Sequence, residues 1–260
     1  MDKPYCPQAE AFRYQAGSTG CLLIHGLTGC PFELQELGEK LYQAGYTVSG
    51  PRLAGHATDD WHDLARSTWQ DWVQSAASEY QYLAAHCDQV ILAGLSLGGD
   101  VTLWLAANQL ASPAALIIMA TPMLVITPWQ RRLLPWLSRL LPYTRKAGSG
   151  IYDPAAYASH ITGRHMVYQA VLSADDFLTQ LRPLLPQIQA PALLIYSEKD
   201  RTVKPSEAQD LYAHLGSTQK KLVWLKNSSH ILTRDYDKQI VFNEVLACAQ
   251  RVRDGLPPVA

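Results

Sequence analysis

A serine held between glycines is the feature of this sequence that most directly predicts chemistry. Residues 94–98 read Gly-Leu-Ser-Leu-Gly, with Ser96 at the centre. They follow a short apolar run typical of a strand and precede a segment with helical spacing. A G-x-S-x-G motif between strand and helix indicates a sharp turn that exposes the serine hydroxyl, and only residues as small as glycine fit two positions to either side. We therefore predict that Ser96 is a nucleophile.

A serine hydroxyl of ordinary pKa is a weak nucleophile, so a base must lie beside it. For a serine in this setting the partners follow in the chain order serine, acid, histidine. Of the 8 histidines, only His230 follows the last predicted strand, and it is predicted as the base. The acid is expected in the loop after the preceding strand, where Asp200 lies at the tip and Glu198 is the alternative. It would fix the histidine tautomer and stabilise the imidazolium.

The same turn predicts where a developing oxyanion would bind. The N–H of Leu97 begins the helix after Ser96, where the helix dipole favours negative charge. A second donor is expected from the loop after the first core strand, which reads His-Gly-Leu-Thr-Gly at residues 25–29. Gly26 lets this loop approach closely, so the backbone N–H of Leu27 is predicted as the second donor.

The elements that must position these residues alternate along the chain. Short apolar runs predict strands, and apolar residues three and four apart predict helices. Strands are expected at residues 21–25, 46–50, 89–93, 116–120, 192–196 and 221–225, and helices at residues 32–44, 68–86, 97–109, 207–215 and 238–252. Apolar strands separated by helices indicate an α/β fold, with a mostly parallel sheet covered by helices on both faces.

The alternation is interrupted once, in a segment rich in Leu, Trp, Pro and Arg. No convincing strand is found in residues 123–191, and residues 147–150 read Ala-Gly-Ser-Gly, a composition typical of a flexible joint. We predict a small helical cap at residues 123–185, inserted into a core made of residues 1–122 and 186–260.

The density of Trp and Leu in this cap suggests what it does. Trp129, Leu133 and Trp136 are predicted to line an acyl pocket, with several arginines interleaved between the apolar residues. Two alternatives remain open. The same face could make weak contact with a lipid surface, or it could simply pack against the core.

Composition excludes several classes of protein. The chain has 260 residues, with 22 Lys and Arg against 23 Asp and Glu and no block of like charge. Proteins that bind nucleic acid usually concentrate basic residues on one face, so nucleic acid is not an expected partner. With 48% hydrophobic and 17% charged residues the chain is not expected to be disordered. The longest apolar run, residues 114–120, is shorter than the roughly 20 residues that cross a bilayer.

The cysteines and the N-terminus predict a cytoplasmic protein. No C-x-x-C pair occurs among the five cysteines Cys6, Cys21, Cys30, Cys87 and Cys248. An odd number without paired spacing is typical of free thiols in a reducing compartment. Residues 1–6 contain no apolar stretch of the kind found in a signal peptide.

As a set, these motifs resemble the α/β-hydrolase superfamily, and within it small bacterial carboxylesterases and monoacylglycerol lipases. The resemblance rests on His-Gly-Leu-Thr-Gly at residues 25–29, Gly-Leu-Ser-Leu-Gly-Gly at residues 94–99, Glu-Lys-Asp at residues 198–200 with Val203 and Pro205, and Ser229-His230. It implies the α/β-hydrolase fold, with Ser96, Asp200 and His230 as a catalytic triad and Leu27 and Leu97 as oxyanion donors. It also implies that no metal and no cofactor take part.

These expectations favour a serine hydrolase that cleaves carboxylic esters through an acyl-enzyme. The apolar cap favours short-to-medium acyl esters or monoacylglycerols as substrates. A thioesterase, a perhydrolase or a peptidase of the same fold remains an alternative. Dehalogenases and epoxide hydrolases are set aside because they normally need an aspartate where Ser96 stands. From a different class, the alternative is a non-catalytic receptor for a small molecule on this fold.

Overall fold

A sheet of seven strands forms the centre of the molecule in the computed structural model, which describes residues 7–146, 148 and 150–259. The strands of the described chain are β1 (Phe12–Tyr14), β2 (Thr19–Ile24), β3 (Thr47–Gly50), β4 (Gln89–Leu95), β5 (Ala115–Met119), β6 (Tyr143–Arg145), β7 (His165–Val167), β8 (Ala192–Ser197) and β9 (Lys220–Leu225). The main sheet has the order β1-β3-β2-β4-β5-β8-β9. All of its pairs are parallel except β1 with β3.

Helices cover both faces of this sheet. The helices of the described chain are α1 (Phe32–Gln43), α2 (Trp61–Arg66), α3 (Trp69–His86), α4 (Leu97–Ala107), α5 (Pro128–Leu140), α6 (Pro154–Ser159), α7 (Tyr168–Leu181), α8 (Pro205–His214) and α9 (Lys238–Arg253), with short 3₁₀ turns at Pro7–Ala9 and Arg182–Gln187. One apolar cluster joins the sheet to α1 and α9, and the other joins it to α3, α4, α7 and α8. The predicted α/β class with a mostly parallel, doubly covered sheet is confirmed.

The alternation of side chains along each strand explains why the central strands are apolar throughout. In β4, Ile91 packs into the cluster with α1 and α9, whereas Leu92 packs into the cluster with α3 and α4. Neighbouring residues of a strand point to opposite faces, so a strand covered on both sides needs apolar residues at every position. Every residue of β2, β5 and β8 is buried for this reason.

The core strands begin and end within two residues of their predicted bounds, but some short elements were not predicted. Strand β1 is a three-residue edge strand, and α2 has only six residues. Elements this short contain less than two periods of a strand or helix pattern, so periodicity carries no signal for them.

The expectation that residues 123–191 lack strands is wrong. Strands β6 and β7 form a small antiparallel sheet, in which Tyr143 pairs with Val167 and Arg145 pairs with His165. Each strand has three residues and its partner lies about twenty residues away in the chain, so the pairing depends on tertiary contacts that local spacing does not reveal. Segment 123–185 leaves the sheet after β5, returns before β8, and holds α5, α6, α7 and this two-stranded sheet.

Some sequence expectations fall on residues outside the described part of the chain. These are Cys6 with the rest of residues 1–6, and Ala147 and Ser149 in the predicted joint. Within the described part, no disulfide joins Cys21, Cys30, Cys87 and Cys248. No helix there combines the length and the apolar character that crossing a bilayer requires.

Candidate active site

Ser96 forms the whole turn between β4 and α4. The strand ends at Leu95 and the helix begins at Leu97. Ser96 has φ 55° and ψ −123°, a conformation that residues other than glycine rarely adopt and that costs on the order of 1–3 kcal/mol. Two backbone hydrogen bonds of 2.8 Å hold it, from the Ser96 N–H to the Met119 carbonyl and from the Gly99 N–H to the Ser96 carbonyl.

The glycines around Ser96 allow backbone to pack directly on backbone. A Cβ atom on Gly94 would overlap the carbonyl group of Gly98, and a Cβ atom on Gly98 would overlap the carbonyl oxygen of Ile24 in β2. Any side chain at either position would push α4 away from the sheet. The glycine spacing in the sequence therefore has a steric cause in the structure.

The structure brings Ser96, His230 and Asp200 into one chain of hydrogen bonds. Ser96 Oγ lies 3.0 Å from His230 Nε2, and His230 Nδ1 lies 2.8 Å from Asp200 Oδ2. Because a carboxylate only accepts, Nδ1 carries the proton and Nε2 is left to accept from the serine hydroxyl. The other oxygen of Asp200 accepts the N–H groups of Thr202 and Val203 at 2.7 and 3.1 Å. The arrangement can take a proton from Ser96 while the carboxylate stabilises the imidazolium.

Glu198, the alternative acid, is not part of this chain. Its side chain is exposed to solvent, whereas the Asp200 side chain is only 1% exposed. The loop after β8 thus turns Asp200 inward and Glu198 outward, although the two residues are only two positions apart.

Two aspartates that the sequence analysis did not single out hold the loop that carries His230. Asp237 accepts the N–H groups of residues 227 and 228 at 2.6 and 3.0 Å. Asp235 accepts the N–H of Ser229 at 2.6 Å and, at 2.9 Å each, those of residues 152 and 153 in segment 123–185. Their positions, five and seven residues after the candidate histidine, are the sequence feature that could have pointed to them.

Leu27 and Leu97, the predicted oxyanion donors, both line the cavity beside Ser96. Among the described residues no hydrogen bond uses the N–H of either leucine. The N–H of Leu97 is the first of α4, and the first N–H groups of a helix have no partner within it. Both groups are therefore available to an oxygen atom in the cavity.

His25 orients the peptide that carries the Leu27 N–H. The N–H of Leu53 donates to His25 Nε2 at 3.1 Å, so the ring proton is on Nδ1, which donates to the Gly26 carbonyl at 2.9 Å. The Gly29 N–H donates to the same carbonyl at 3.0 Å. A trans peptide points its C=O and N–H to opposite sides, so fixing this carbonyl fixes the direction of the Leu27 N–H. Burial holds the pKa of His25 well below its usual value, which keeps the ring neutral.

The cavity at Ser96 has a volume of about 580 Å³. Apolar side chains from the loops after β5, β8 and β9, from α5 and from α7 form much of its lining: Leu124, Val125, Ile126, Leu134, Val171, Ala174, Val203 and Ile231. Charged or ionisable side chains also line it: Glu33, Asp100, Arg145, Lys146, Tyr168 and His230. Among the described residues, no group of three or more His, Cys, Asp or Glu side chains has a metal-binding arrangement.

The structure does not bring Trp129, Leu133 and Trp136 to this cavity. Their exposed fractions are 64%, 54% and 69%, and the side chains of α5 that do line the cavity are Gln130 and Leu134. The expectation that the three residues form the acyl pocket is therefore corrected.

The rotation of α5 about its axis is the physical reason. An ion pair joins Arg131 to the buried carboxylate of Asp175 in α7, with Nη2 to Oδ1 at 2.8 Å and Nε to Oδ2 at 2.6 Å. Ser138, the buried residue of α5, lies two turns from Gln130 on the same face. The face with most of the apolar residues is therefore exposed to solvent. Spacing along a helix defines its faces but does not show which of them turns inward, so the sequence could not reveal this orientation.

Glu33 lies behind the loop of residues 25–29, and its place there was not predicted from the sequence. Its carboxylate accepts the N–H of Gly26 at 3.4 Å and lies 3.9 Å from Nε2 of the buried His160. Burial raises the pKa of Glu33 to about 7, opposed mainly by the charge of Lys146. Burial also lowers the pKa of His160 to about 4. Nothing in the sequence marks an acid in the first turn of a helix as buried.

A comparison with protein-family models assigns most of the chain to one family. The model described as "Serine aminopeptidase, S33" matches residues 18–237. Among curated proteins, the chain is 33% identical over 247 residues to a thermostable monoacylglycerol lipase of Bacillus sp. (strain H-257), covering 94% of this chain and 95% of that protein. It is 25% identical over 238 residues to a carboxylesterase of Bacillus subtilis (strain 168), covering 91% and 94%.

Solved structures have the same fold. One, from work on the metagenome-derived lipolytic enzymes LipS and LipT, superposes with a TM-score of 0.88 at 30% identity and covers 94% of this chain and 98% of that chain. The monoacylglycerol lipase of Paleococcus ferrophilus superposes with a TM-score of 0.78 at 16% identity, covering 94% and 98%.

The raised pKa of Glu33 predicts how stability depends on pH. An ordinary glutamate loses its proton near pH 4.5, whereas Glu33 in the folded protein keeps it to about pH 7. Between these values the folded state binds more protons than the unfolded state, so the free energy of unfolding falls as pH rises. Glu33→Gln should remove this loss. At pH 8 the variant should be more stable than the wild type by on the order of 1–3 kcal/mol, and at pH 4.5 the difference should vanish.

The measurement is urea unfolding of both proteins at pH 4.5, 6, 7 and 8. Glu39→Gln is a matched control, because Glu39 is an exposed residue of the same helix. A stability difference that stays constant across this range would contradict the assignment of a neutral carboxyl to Glu33.

Proposed function

Because this chain belongs to the family described as "Serine aminopeptidase, S33", within the α/β-hydrolase superfamily, we propose that it hydrolyses carboxylic esters through Ser96, His230 and Asp200. The observation that carries the proposal is the chain of hydrogen bonds at the cavity, 3.0 Å from Ser96 to His230 and 2.8 Å from His230 to Asp200. Short-to-medium acyl esters and monoacylglycerols are the proposed substrates.

The reaction has two halves. Ser96 Oγ attacks the ester carbonyl carbon while His230 Nε2 takes its proton, and the oxyanion that forms accepts the N–H groups of Leu27 and Leu97. When the tetrahedral intermediate collapses, the imidazolium gives its proton to the leaving alcohol. A water molecule then attacks the acyl-enzyme with His230 again as base, which releases the acid and restores Ser96. Asp200 accepts the Nδ1–H of His230 throughout and so holds the imidazole in place.

The lining of the cavity supports an ester with an apolar acyl group. A buried methylene contributes about 0.8 kcal/mol. The affinity for an acyl chain that packs along the apolar side chains should therefore rise with the length of the chain. The names of the two curated relatives, a monoacylglycerol lipase and a carboxylesterase, point to the same class of bond. A thioesterase or a peptidase would use the same three residues. Turnover of matched esters, thioesters and amides separates these possibilities.

The removal of Ser96 is the first test. Ser96→Ala should abolish labelling by a fluorophosphonate and lower kcat by on the order of 10⁶, because the nucleophile of a triad is lost. The substrates to compare are p-nitrophenyl esters from acetate to palmitate together with monoacylglycerols. Ser78→Ala, on the exposed side of α3, is the matched control. A variant that still takes the label would place the nucleophile elsewhere. A wild type that takes the label but turns over no ester would favour a receptor on this fold.

The acid is tested by a pair of substitutions in one loop. Asp200→Asn should lower kcat by roughly 10⁴, since an amide can hold the histidine in the wrong tautomer. Glu198→Gln is the control and should change kcat by less than about twofold, because its side chain is exposed. The comparison is kcat for p-nitrophenyl butyrate at pH 8. If Glu198→Gln causes the larger loss, the acid has been misassigned.

We further propose that segment 123–185 acts as a cap that roofs the cavity and makes transient contact with an anionic lipid surface. Leu124, Leu134 and Met166 from this segment line the cavity, which supports the first part. The second part rests on the outer face of α5, where the exposed apolar residues Trp129, Leu133, Trp136, Leu137 and Leu140 follow helical spacing.

The basic charge near this outer face favours an anionic partner. Residues 128–146 contain four arginines and one lysine but no Asp or Glu, in a chain whose net charge is −1. Arg132 and Arg139 are exposed on the helix, and the guanidinium of Arg139 lies 5.1 Å from the ring centroid of Trp136. A helix with an exposed apolar stripe, two tryptophans and a basic flank suits the interface of an anionic bilayer.

Vesicle sedimentation tests the lipid contact. The wild type should bind phosphatidylcholine vesicles weakly and vesicles with 30% phosphatidylglycerol severalfold more tightly. Trp129→Ser with Trp136→Ser should abolish binding to both without changing turnover of p-nitrophenyl acetate. Leu110→Ser with Leu256→Ser, two exposed leucines elsewhere, is the control and should bind like the wild type. Equal binding by the tryptophan variant would rule out this face as the contact.

A further inference from the structure

A buried carboxyl group lines the cavity beside Ser96 and has no part in the proposed triad. Asp100 lies in the first turn of α4, one helical turn after Ser96, and is 2% exposed. It shares the cavity lining with Ser96 and Leu97. Its side chain is therefore close to the place where an acyl group would be held during the proposed reaction.

The carboxyl of Asp100 has no partner in the part of the chain that the structure describes. Oδ1 is fully buried without a hydrogen bond, and no described residue donates to Oδ2. Buried polar groups of folded proteins are nearly always paired, so an unpaired one calls for an explanation. Burying a polar group without a hydrogen bond costs free energy, whereas an apolar side chain would line an alkyl pocket without that cost.

The surroundings of this carboxyl favour its neutral form. Burial, followed by the nearby charge of Glu207, raises the pKa of Asp100 well above its usual value. Glu207 itself is engaged, since its carboxylate accepts the N–H groups of Met123 and Leu124 at 2.8 and 2.9 Å. A neutral carboxylic acid offers one donor and at least one acceptor. A hydroxyl group has the same two capacities and is the matching partner, whereas an ammonium ion would match an ionised carboxylate.

We propose that Asp100 is a specificity-determining residue that forms a hydrogen bond with a hydroxyl group on the acyl chain of the substrate. The inference rests on the proposed ester hydrolysis and narrows its substrates to hydroxyacyl esters. A site built to bond a substrate hydroxyl discriminates strongly against the analogue that lacks it, because the polar group of the site is then left unpaired.

The test compares matched esters that differ by one hydroxyl. The substrates are ethyl hexanoate, ethyl 3-hydroxyhexanoate, ethyl 6-hydroxyhexanoate and ethyl 6-aminohexanoate, followed at pH 7 in a pH-stat. The variants are Asp100→Leu, which removes the hydrogen bond, and Asp100→Asn, which keeps it but cannot ionise. Thr102→Val is the matched control, since Thr102 is also buried in α4 with an unpaired hydroxyl but does not line the cavity.

The wild type should hydrolyse one of the hydroxy esters with a kcat/KM at least about tenfold above that for ethyl hexanoate. In Asp100→Leu this ratio should fall to one or below, while Asp100→Asn should keep it within about fivefold of the wild-type ratio. Thr102→Val should leave the ratio unchanged. A ratio that survives in Asp100→Leu, or a wild type without any hydroxyl preference, would overturn the proposal.

The same esters and variants distinguish two other outcomes. If the wild type prefers the amino ester and Asp100→Asn loses as much as Asp100→Leu, the partner is an ammonium group and the hydroxyl proposal fails. Labelling of every variant with a fluorophosphonate, together with its thermal unfolding midpoint, shows that the fold and Ser96 are intact. A wild type that is labelled but cleaves none of the esters would contradict the proposed function, whereas hydrolysis of ethyl hexanoate without selectivity contradicts only the role of Asp100.

Discussion

The one-residue turn at Ser96 is the constraint on which the rest of the site depends. A positive φ at a serine is unfavourable, and here it is balanced by the packing of α4 against the sheet, where Val101, Leu103 and Leu105 are fully buried. The turn also needs backbone contacts that only glycine allows, between Gly94 and Gly98 and between Gly98 and β2. If the turn relaxed, Ser96 Oγ would leave the 3.0 Å contact with His230. The parallel sheet therefore holds in place the one strained residue on which the proposed chemistry depends.

The carboxyl groups at and near the cavity differ in the hydrogen bonds that their oxygens accept. Asp200 accepts two backbone N–H groups as well as His230, so a negative charge there has three hydrogen bonds. No described residue donates to Asp100, and burial raises its pKa. Among the described residues, the carboxylate of Glu33 accepts one long bond of 3.4 Å, from the Gly26 N–H, with Lys146 and His160 nearby. Its pKa is raised to about 7. The acid proposed for the triad therefore differs from the other two in the number of hydrogen bonds that its oxygens accept.

Hydrogen bonds join segment 123–185 to the core at the loops that carry the proposed catalytic residues. The Asp235 carboxylate bonds both the His230 loop and residues 152 and 153, and the carbonyl of Gly150 accepts the N–H groups of His230 and Ile231 at 2.9 Å. On the other side of the cavity, the N–H of Gly163 and the hydroxyl of Thr162 donate to the carbonyl of Thr28, beside the proposed oxyanion donor Leu27. The segment that supplies part of the cavity lining therefore also supports the loops that carry the proposed chemistry.

The amino-acid sequence by itself determined the α/β class, the core strands and helices, and the candidates for each chemical role. These signals are local: a glycine spacing around Ser96, apolar runs of fixed period, and the chain order of Ser96, Asp200 and His230. The roles of these residues stay predictions, but their types and order needed no coordinates. What spacing could not supply is the direction of a side chain relative to distant parts of the chain.

Only the tertiary structure brought Asp200 rather than Glu198 to His230, because the loop after β8 turns one inward and the other outward. It turned Trp129, Leu133 and Trp136 to solvent, whereas Arg131 of the same helix pairs with Asp175, 44 positions away. It also buried Glu33 and Asp100, which look like ordinary first-turn acids of helices in the sequence. In each case the deciding contact joins residues far apart in the chain, and periodicity within a short window carries no information about such contacts.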